Sequence, residues 1–213
     1  MTAHIPVAII GAGQAGLSVS WYLSRAGIGH VVLEAKTPAH AWADSRWDSF
    51  TLVTPNWHCR LPGYSYAGPD PDGFMTRDEV VDWLAGWMDT FDAPVRAHTR
   101  VTRLRNVVGG SFELTVSTDA GEETMTCEHA VVATGGYPLP VKPAFAGSLD
   151  PAVTQIHSEQ YRNAGQLPQG AVLVVGTGQS GAQIAEDLHL EGRQVHLAVG
   201  SAPRVARFYR GRD

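Results

Sequence analysis

The chain has 213 residues, 44% of them hydrophobic and 17% charged, with 23 glycines and 13 prolines. That length holds one well-buried domain and part of a second, and the composition is that of a turn-rich globular protein rather than a disordered or fibrous one. A formal net charge of -5 leaves no basic excess to neutralise a phosphate backbone, which excludes nucleic acid and anionic membrane as expected partners and favours small molecules.

The longest apolar runs, such as Ile5–Ile10 and Ala171–Val175, fall far short of the roughly 18 residues of a membrane span. The N-terminus lacks a basic region, an extended apolar stretch and a cleavage site, so a cytoplasmic enzyme is the expectation. Cys59 and Cys127 stand 68 positions apart, which excludes a disulfide framework, a zinc-knuckle spacing and a C-x-x-C pair and marks both as small buried hydrophobes. No metal-ligand spacing is present.

Ile5–Ile10 is a continuous apolar run, the mark of a strand buried on both faces of a parallel sheet. It ends at Gly11-Ala12-Gly13. A helix follows from Gln14, closed by Gly27 and Gly29, and Val31-Val32-Leu33 forms a second strand, completing a βαβ unit. Residues 36–75 are irregular and rich in Trp, Pro, Gly and Asp, and so long a connection is expected to lie against a ligand. Thr76-Arg77-Asp78-Glu79 reads as a capping box opening a helix to about Phe91, and Val95 begins another short strand. Val101–Val107, Ser111–Ser117 and Glu123–Glu128 read as a three-stranded meander with turns at Gly109-Gly110 and Asp119-Ala120-Gly121. Ala130–Ala133 is then a separate buried strand ending at Thr134-Gly135-Gly136. After a Pro-rich stretch, Ala171–Val175, Gly176–Gly181, a helix from about Gln179 to Leu190, and Val195–Val199 repeat the strand, glycine turn, helix and strand of the N-terminus.

Gly11-Ala12-Gly13-Gln14-Ala15-Gly16 is a dinucleotide-binding fingerprint. Gly11 permits the tight turn, Gly13 lets backbone approach a pyrophosphate, and Gly16 lets helix pack on strand. The helix N-terminus supplies unpaired N–H groups to the phosphates. Glu34 closes the next strand 18 residues after Gly16, close to the place of a carboxylate that accepts from a ribose. Gly176-Thr177-Gly178-Gln179-Ser180-Gly181 is a second fingerprint. Its following strand ends at Gly200-Ser201 without an acidic residue, while Arg204 and Arg207 just beyond could pair with a 2′-phosphate, so NADP is favoured over NAD.

Two glycine fingerprints separated by a meander and an Ala133-Thr134-Gly135 strand end resemble the two-domain flavoproteins of the glutathione-reductase type, and especially the class B flavin monooxygenases. The segment carrying Trp42, Trp47-Asp48, Leu52, Pro55, Cys59, Leu61 and Pro62 is similar to the stretch after the FAD fingerprint in YUCCA-type and related enzymes. Gln155-Ile156-His157-Ser158-Glu159-Gln160-Tyr161 is similar to the H-S-x-x-Y end of their signature. The F-x-G-x-x-x-H pattern is not met: Pro151 and Val153 hold the Phe and Gly places, and Phe145-Ala146-Gly147 lies six residues early. That departure points away from the Baeyer–Villiger branch and from the usual N- and S-oxygenating branch.

The resemblance implies an α/β fold: a Rossmann-like FAD-binding domain, with a parallel sheet, helices and meander, over residues 1–150, a linker at 151–170, and the start of a second Rossmann-like NADPH-binding domain at 171–213. It implies a flavin monooxygenase in which NADPH reduces FAD and a C4a-(hydro)peroxyflavin passes oxygen from O2 to a small organic substrate. The FAD contacts it suggests are Gly11, Gly13, Gly16, Glu34, Trp42, Arg46, Trp47, Val101, Thr134 and Gly135. The NADPH contacts are Gly176, Gly178, Ser180, Gly181 and Arg204, and Asn56 is the candidate catalytic amide beside the isoalloxazine. An NADPH-dependent flavin reductase without oxygenation and an inactive nucleotide-binding module are the alternatives. A lone βαβ unit cannot cover its own sheet, so the chain reads as a fragment with residues 165–213 poorly ordered on their own. Substrate and oligomeric state are left open.

Overall fold

In the computed structural model the described residues are 3–107, 109–136 and 139–201. The chain divides into two compact units, Met1–Arg46 with Thr51–Val141, and Trp47–Phe50 with Lys142–Asp213.

The first unit is built on a six-stranded sheet. Its strands are β1 (Ala3–Ile10), β2 (His30–Leu33), β5 (Val95–Arg96), β6 (Arg100–Asn106), β7 (Phe112–Thr118) and β8 (Gly121–Val132), in the order β5-β2-β1-β8-β7-β6. The first four in that order run parallel, and β8, β7 and β6 form the antiparallel meander. Side chains on a strand alternate between faces. Val7 and Ile9 accordingly enter one cluster with Leu17 and Val32, whereas Ala8 and Ile10 enter another with Leu33, Leu114, Val116, Met125 and Cys127. This two-sided burial explains why β1 reads as an unbroken apolar run.

Helix α1 (Gln14–Arg25) buries Leu17 and Ser20. The Ser20 hydroxyl donates to His30 Nε2 (2.8 Å), and His30 Nδ1 in turn donates to the Ile28 carbonyl, fastening α1 to β2. Helix α3 (Arg77–Met88) has the capping box expected from its sequence: Glu79 N–H donates to Thr76 Oγ1, and Thr76 N–H donates to Glu79 Oε2 at 2.8 Å. The long irregular stretch between β2 and α3 contains short elements: helix α2 (His40–Ala43), a 3-10 turn at Asn56–His58, and a hairpin of β3 (Arg60–Leu61) and β4 (Tyr64–Ser65). The indole N–H of Trp87 donates to the Pro62 carbonyl (3.0 Å) and ties this hairpin to α3.

Glu123–Glu128 and Ala130–Ala133, expected as separate strands, are continuous. The last meander stretch and the strand at 130–133 are a single strand, β8. It pairs with β7 from Gly121 to Cys127 and with β1 from Met125 to Val132. No Gly, Pro or Asn interrupts this stretch, so the strand simply passes from an antiparallel neighbour to a parallel one.

In the second unit β9 (Val172–Val175) and β10 (Val195–Ala198) pair in parallel, joined by α4 (Gln179–Leu190), whose Ile184 and Leu188 are buried. Residues 142–170 cluster with this unit, as does the four-residue insert at 47–50. The reasons are specific. Asp48 N–H donates to Arg162 O, and Asn163 Nδ2 donates to Asp48 Oδ2 at 2.7 Å. The Arg193 guanidinium donates to the carbonyls of Ala164, Pro168 and Gly170. Among the described residues, no helix is long and apolar enough to cross a membrane.

Candidate functional site

The turn between β1 and α1 shows which of its glycines the fold itself requires. Gly11 has φ +107, and a Cβ there would stand 2.6 Å from the Ala133 carbonyl oxygen. A Cβ on Gly16 would stand 1.9 Å from the Gly11 carbonyl oxygen. Gly13 differs: among the described residues, nothing beyond its own chain neighbours lies within 4 Å of where its Cβ would be. Gly13 is also the N-cap of α1 and offers no side chain to the first-turn N–H groups. Open space above uncapped N–H groups at a helix N-terminus suits an anion.

Glu34 borders this turn. It is 5% exposed, with Oε2 accepting from Ala12 N–H (2.8 Å) and Oε1 from Lys36 N–H (2.9 Å). A carboxylate offers about four lone-pair sites, so two backbone donors leave capacity for hydroxyl donors. The Ala12 carbonyl is held from the other side by Ala39 N–H at 3.1 Å. Thr134 and Gly135 follow β8 directly beside this turn: Ala133 N–H donates to Ile10 O, and Thr134 N would lie 3.4 Å from a Cβ on Gly11. Gly11, Gly13, Gly16, Glu34, Thr134 and Gly135 thus share one edge of the sheet.

The second turn repeats the first. Gly176 has φ +103, a Cβ on Gly181 would stand 2.1 Å from the Gly176 carbonyl oxygen, and a Cβ on Gly178, the N-cap of α4, would meet nothing within 4 Å beyond its chain neighbours among the described residues. Ser180 sits in the first turn of α4. The register matches as well. Gly11 N–H donates to Leu33 O, and Gly176 N–H donates to Ala198 O. Val199 therefore occupies the place of Glu34, and it is 70% exposed.

A family signature for pyridine nucleotide-disulphide oxidoreductases matches residues 8–208, a span that holds both glycine turns. The chain belongs to that family. Within the family it is 39% identical over 196 residues to an uncharacterized CzcO-like oxidoreductase of Geobacillus kaustophilus, covering 92% of this chain and 54% of the relative. It is 30% identical to the indole-3-pyruvate monooxygenase YUCCA6 of Arabidopsis thaliana, covering 92% of this chain and 48% of that protein. Among solved structures, a flavin-containing monooxygenase from Stenotrophomonas maltophilia superposes with a TM-score of 0.83 at 26% identity, covering 95% of this chain and 60% of that one. The likeness to the N-terminal half of flavin monooxygenases expected from the motifs is borne out, as is the Rossmann-like α/β fold. The chain spans about half the length of the curated relatives it matches.

Other family-suggested positions have different surroundings. Trp42 packs against the core cluster of the first unit, and the Arg46 guanidinium lies 5.2 Å from its ring centroid. Trp47 is buried in the second unit edge-on to Phe50 (5.2 Å, 75°), and its Nε1 has no hydrogen-bond partner among the described residues. Val101 lies on the outermost strand β6, paired with Val116 and packed on the second cluster. Asn56 is 4% exposed, and its amide braces the loop before α3: Nδ2 donates to Asp70 O (2.9 Å) and Oδ1 accepts from Met75 N–H (2.8 Å). Arg204 and Arg207 lie outside the described residues.

Sequence reading passed over Ala39-His40, which touch the first turn. Ala39 has φ 57, and His40 Nδ1 lies 3.5 Å from Glu34 Oε1. The signal available was their position shortly after the ribose-type carboxylate. It also passed over the Tyr161–Asp187 hydrogen bond (2.5 Å) that ties residues 157–161 to α4. His157 stands in the same segment and accepts Glu159 N–H at Nδ1 (3.2 Å).

Proposed function

We propose that the chain forms the dinucleotide-binding part of an FAD-dependent, NADPH-using oxidoreductase that acts as a monooxygenase on a small organic substrate. The observation that carries this reading is the contrast within each glycine turn: Gly11, Gly16 and Gly181 are demanded by close packing and Gly176 by its positive φ, whereas Gly13 and Gly178 have neither constraint and border open space among the described residues. Glycine at those two places serves something that approaches from outside. Glu34 at one turn and Val199 at the other distinguish the two occupants.

The N–H groups at the start of α1 take the FAD pyrophosphate, and Glu34, already oriented by Ala12 and Lys36, takes ribose hydroxyls. At the second turn the start of α4 takes the pyrophosphate of NADPH. Val199 places no carboxylate where a 2′-phosphate must lie, which favours NADPH over NADH. When bound, FAD supplies hydride acceptance and oxygen activation, and the protein supplies binding, orientation and shielding. The flavin monooxygenase relatives support oxygenation as the reaction.

The test is anaerobic addition of NADPH to the FAD-loaded protein, followed by oxygen bearing a heavy isotope and a panel of small nucleophilic and carbonyl substrates. Bleaching of the flavin by NADPH and one labelled oxygen atom in a product support the reading. Bleaching with all reducing equivalents recovered as hydrogen peroxide makes the protein a flavin reductase. Failure to bleach contradicts both.

A further inference from the structure

We propose that His40 belongs to the FAD site and that its protonation lowers the capacity of Glu34 to hold the ribose; this rests on the FAD reading above. Ala39 is one of the few non-glycine residues with positive φ (57). Bulky side chains rarely adopt that region, and such backbone clusters at ligand sites. The turn is secured by Ala39 N–H donating to the Ala12 carbonyl (3.1 Å) and His40 N–H donating to Thr37 O (3.2 Å). The left-handed residue therefore docks on the glycine turn and brings the His40 imidazole to Glu34, Nδ1 to Oε1 3.5 Å, with side chains 27% and 6% exposed.

Each Glu34 oxygen already accepts one backbone N–H, Oε1 from Lys36 and Oε2 from Ala12. A ribose must use what is left. An imidazolium at His40 draws on Oε1 and offsets the negative charge that makes a hydroxyl-to-carboxylate hydrogen bond strong. A neutral imidazole leaves that charge intact. Histidine is the side chain whose charge ordinarily changes between about pH 5 and 8, and neither the phosphates nor the ring systems of FAD titrate in that window.

Other charged or titratable groups around this turn include the exposed Lys36 and His98, whose backbones are joined by His98 N–H to Lys36 O, Asp44 at the far end of α2, and Arg46, whose guanidinium lies over the Trp42 ring of α2. On α3, which packs against α2, they are Arg77, Asp78 and Asp82, lining a shallow surface pocket with Ala43. His98 is the second imidazole on the connection that holds Glu34, so it is the internal control.

The experiment is FAD affinity, read by flavin fluorescence on the full chain, between about pH 8 and about pH 5.5, for the unaltered protein, His40→Gln and His98→Gln. The expected result is FAD binding about tenfold weaker at the acid end for the unaltered protein and for His98→Gln, the loss of one charge-assisted hydrogen bond. His40→Gln, whatever its affinity at the alkaline end, changes less than about twofold across the range. An equal acid loss in His40→Gln, or no loss in the unaltered protein, overturns the inference while leaving FAD binding intact. Absence of FAD binding by every variant at every pH overturns the FAD reading itself, and this inference with it.

Discussion

A Cβ on Gly16 would lie 1.9 Å from the carbonyl oxygen of Gly11, whereas one on Gly13 would meet no atom within 4 Å. The two substitutions should therefore separate fold from ligand. Gly16→Ala forces helix away from strand and costs about 3 kcal/mol or more, since even ordinary overpacking costs about 1–3 kcal/mol. Gly13→Ala loses under about 1 kcal/mol, the difference between Gly and Ala at an N-cap, yet weakens FAD binding at least about tenfold by filling the approach to the pyrophosphate. Urea unfolding and flavin titration of both variants check this.

Glu34, the proposed ribose ligand, is also structural. Its removal in Glu34→Ala leaves the N–H groups of Ala12 and Lys36 without their acceptors, at about 1–3 kcal/mol for each one that water does not reach. The variant should unfold at lower urea concentration even with no cofactor present, which a residue devoted only to ribose binding would not produce.

The βαβ units and the capping box were legible in the sequence because local chemistry decides them: apolar runs ended by glycine, and Thr76 with Glu79. What was not legible depends on distant partners. Nothing in residues 121–132 announces that one strand serves two neighbours, because the switch is set by where β7 ends and β1 begins. The insert at 47–50 joins the second unit through Asp48 and Asn163, 115 positions apart, beyond any periodicity. At the site, the glycines and Glu34 were readable from spacing, but the left-handed Ala39 was not, since alanine carries no mark of positive φ. The amide of Asn56 could not be placed from sequence either, because its partners Asp70 and Met75 lie across a loop.

Tyr161 gives the second unit an alkaline limit. Burial, then the hydrogen bond to Asp187 and the charges of Asp187 and Glu191, raise its phenol above the ordinary value, with Arg193 opposing. A raised folded-state pKa means that the stability it contributes is complete below the ordinary phenol value of about 10 and is lost as pH rises beyond it. Tyr161→Phe should be less stable at neutral pH, by about 1–3 kcal/mol for an Asp187 carboxylate left without its donor, and should show a flatter decline above about pH 10. Urea unfolding across that range distinguishes the two profiles.

Arg193 holds the carbonyls of Ala164, Pro168 and Gly170 with one planar fork. Lysine offers a point charge rather than a fork, so Arg193→Lys should not substitute for it. Faster hydrogen exchange confined to residues 160–171 and the adjoining end of α4 is expected, with β1 and β8 unchanged.

At the second turn, Val199→Glu places a carboxylate at the position that Glu34 holds in the first. Affinity for NADPH should fall at least about tenfold through repulsion of its 2′-phosphate, while affinity for NADH holds or improves. Equal effects on both nucleotides would remove Val199 from the basis of selectivity.

Whether the first glycine turn is built for FAD and not merely for packing is decided by equilibrium binding of FAD to the full chain, unaltered and with Gly13→Ala, both shown folded by circular dichroism. Saturable binding by the unaltered protein, and binding at least about tenfold weaker by the folded variant, are expected. Equal binding by the two proteins, or no binding by the unaltered one, would contradict the FAD reading.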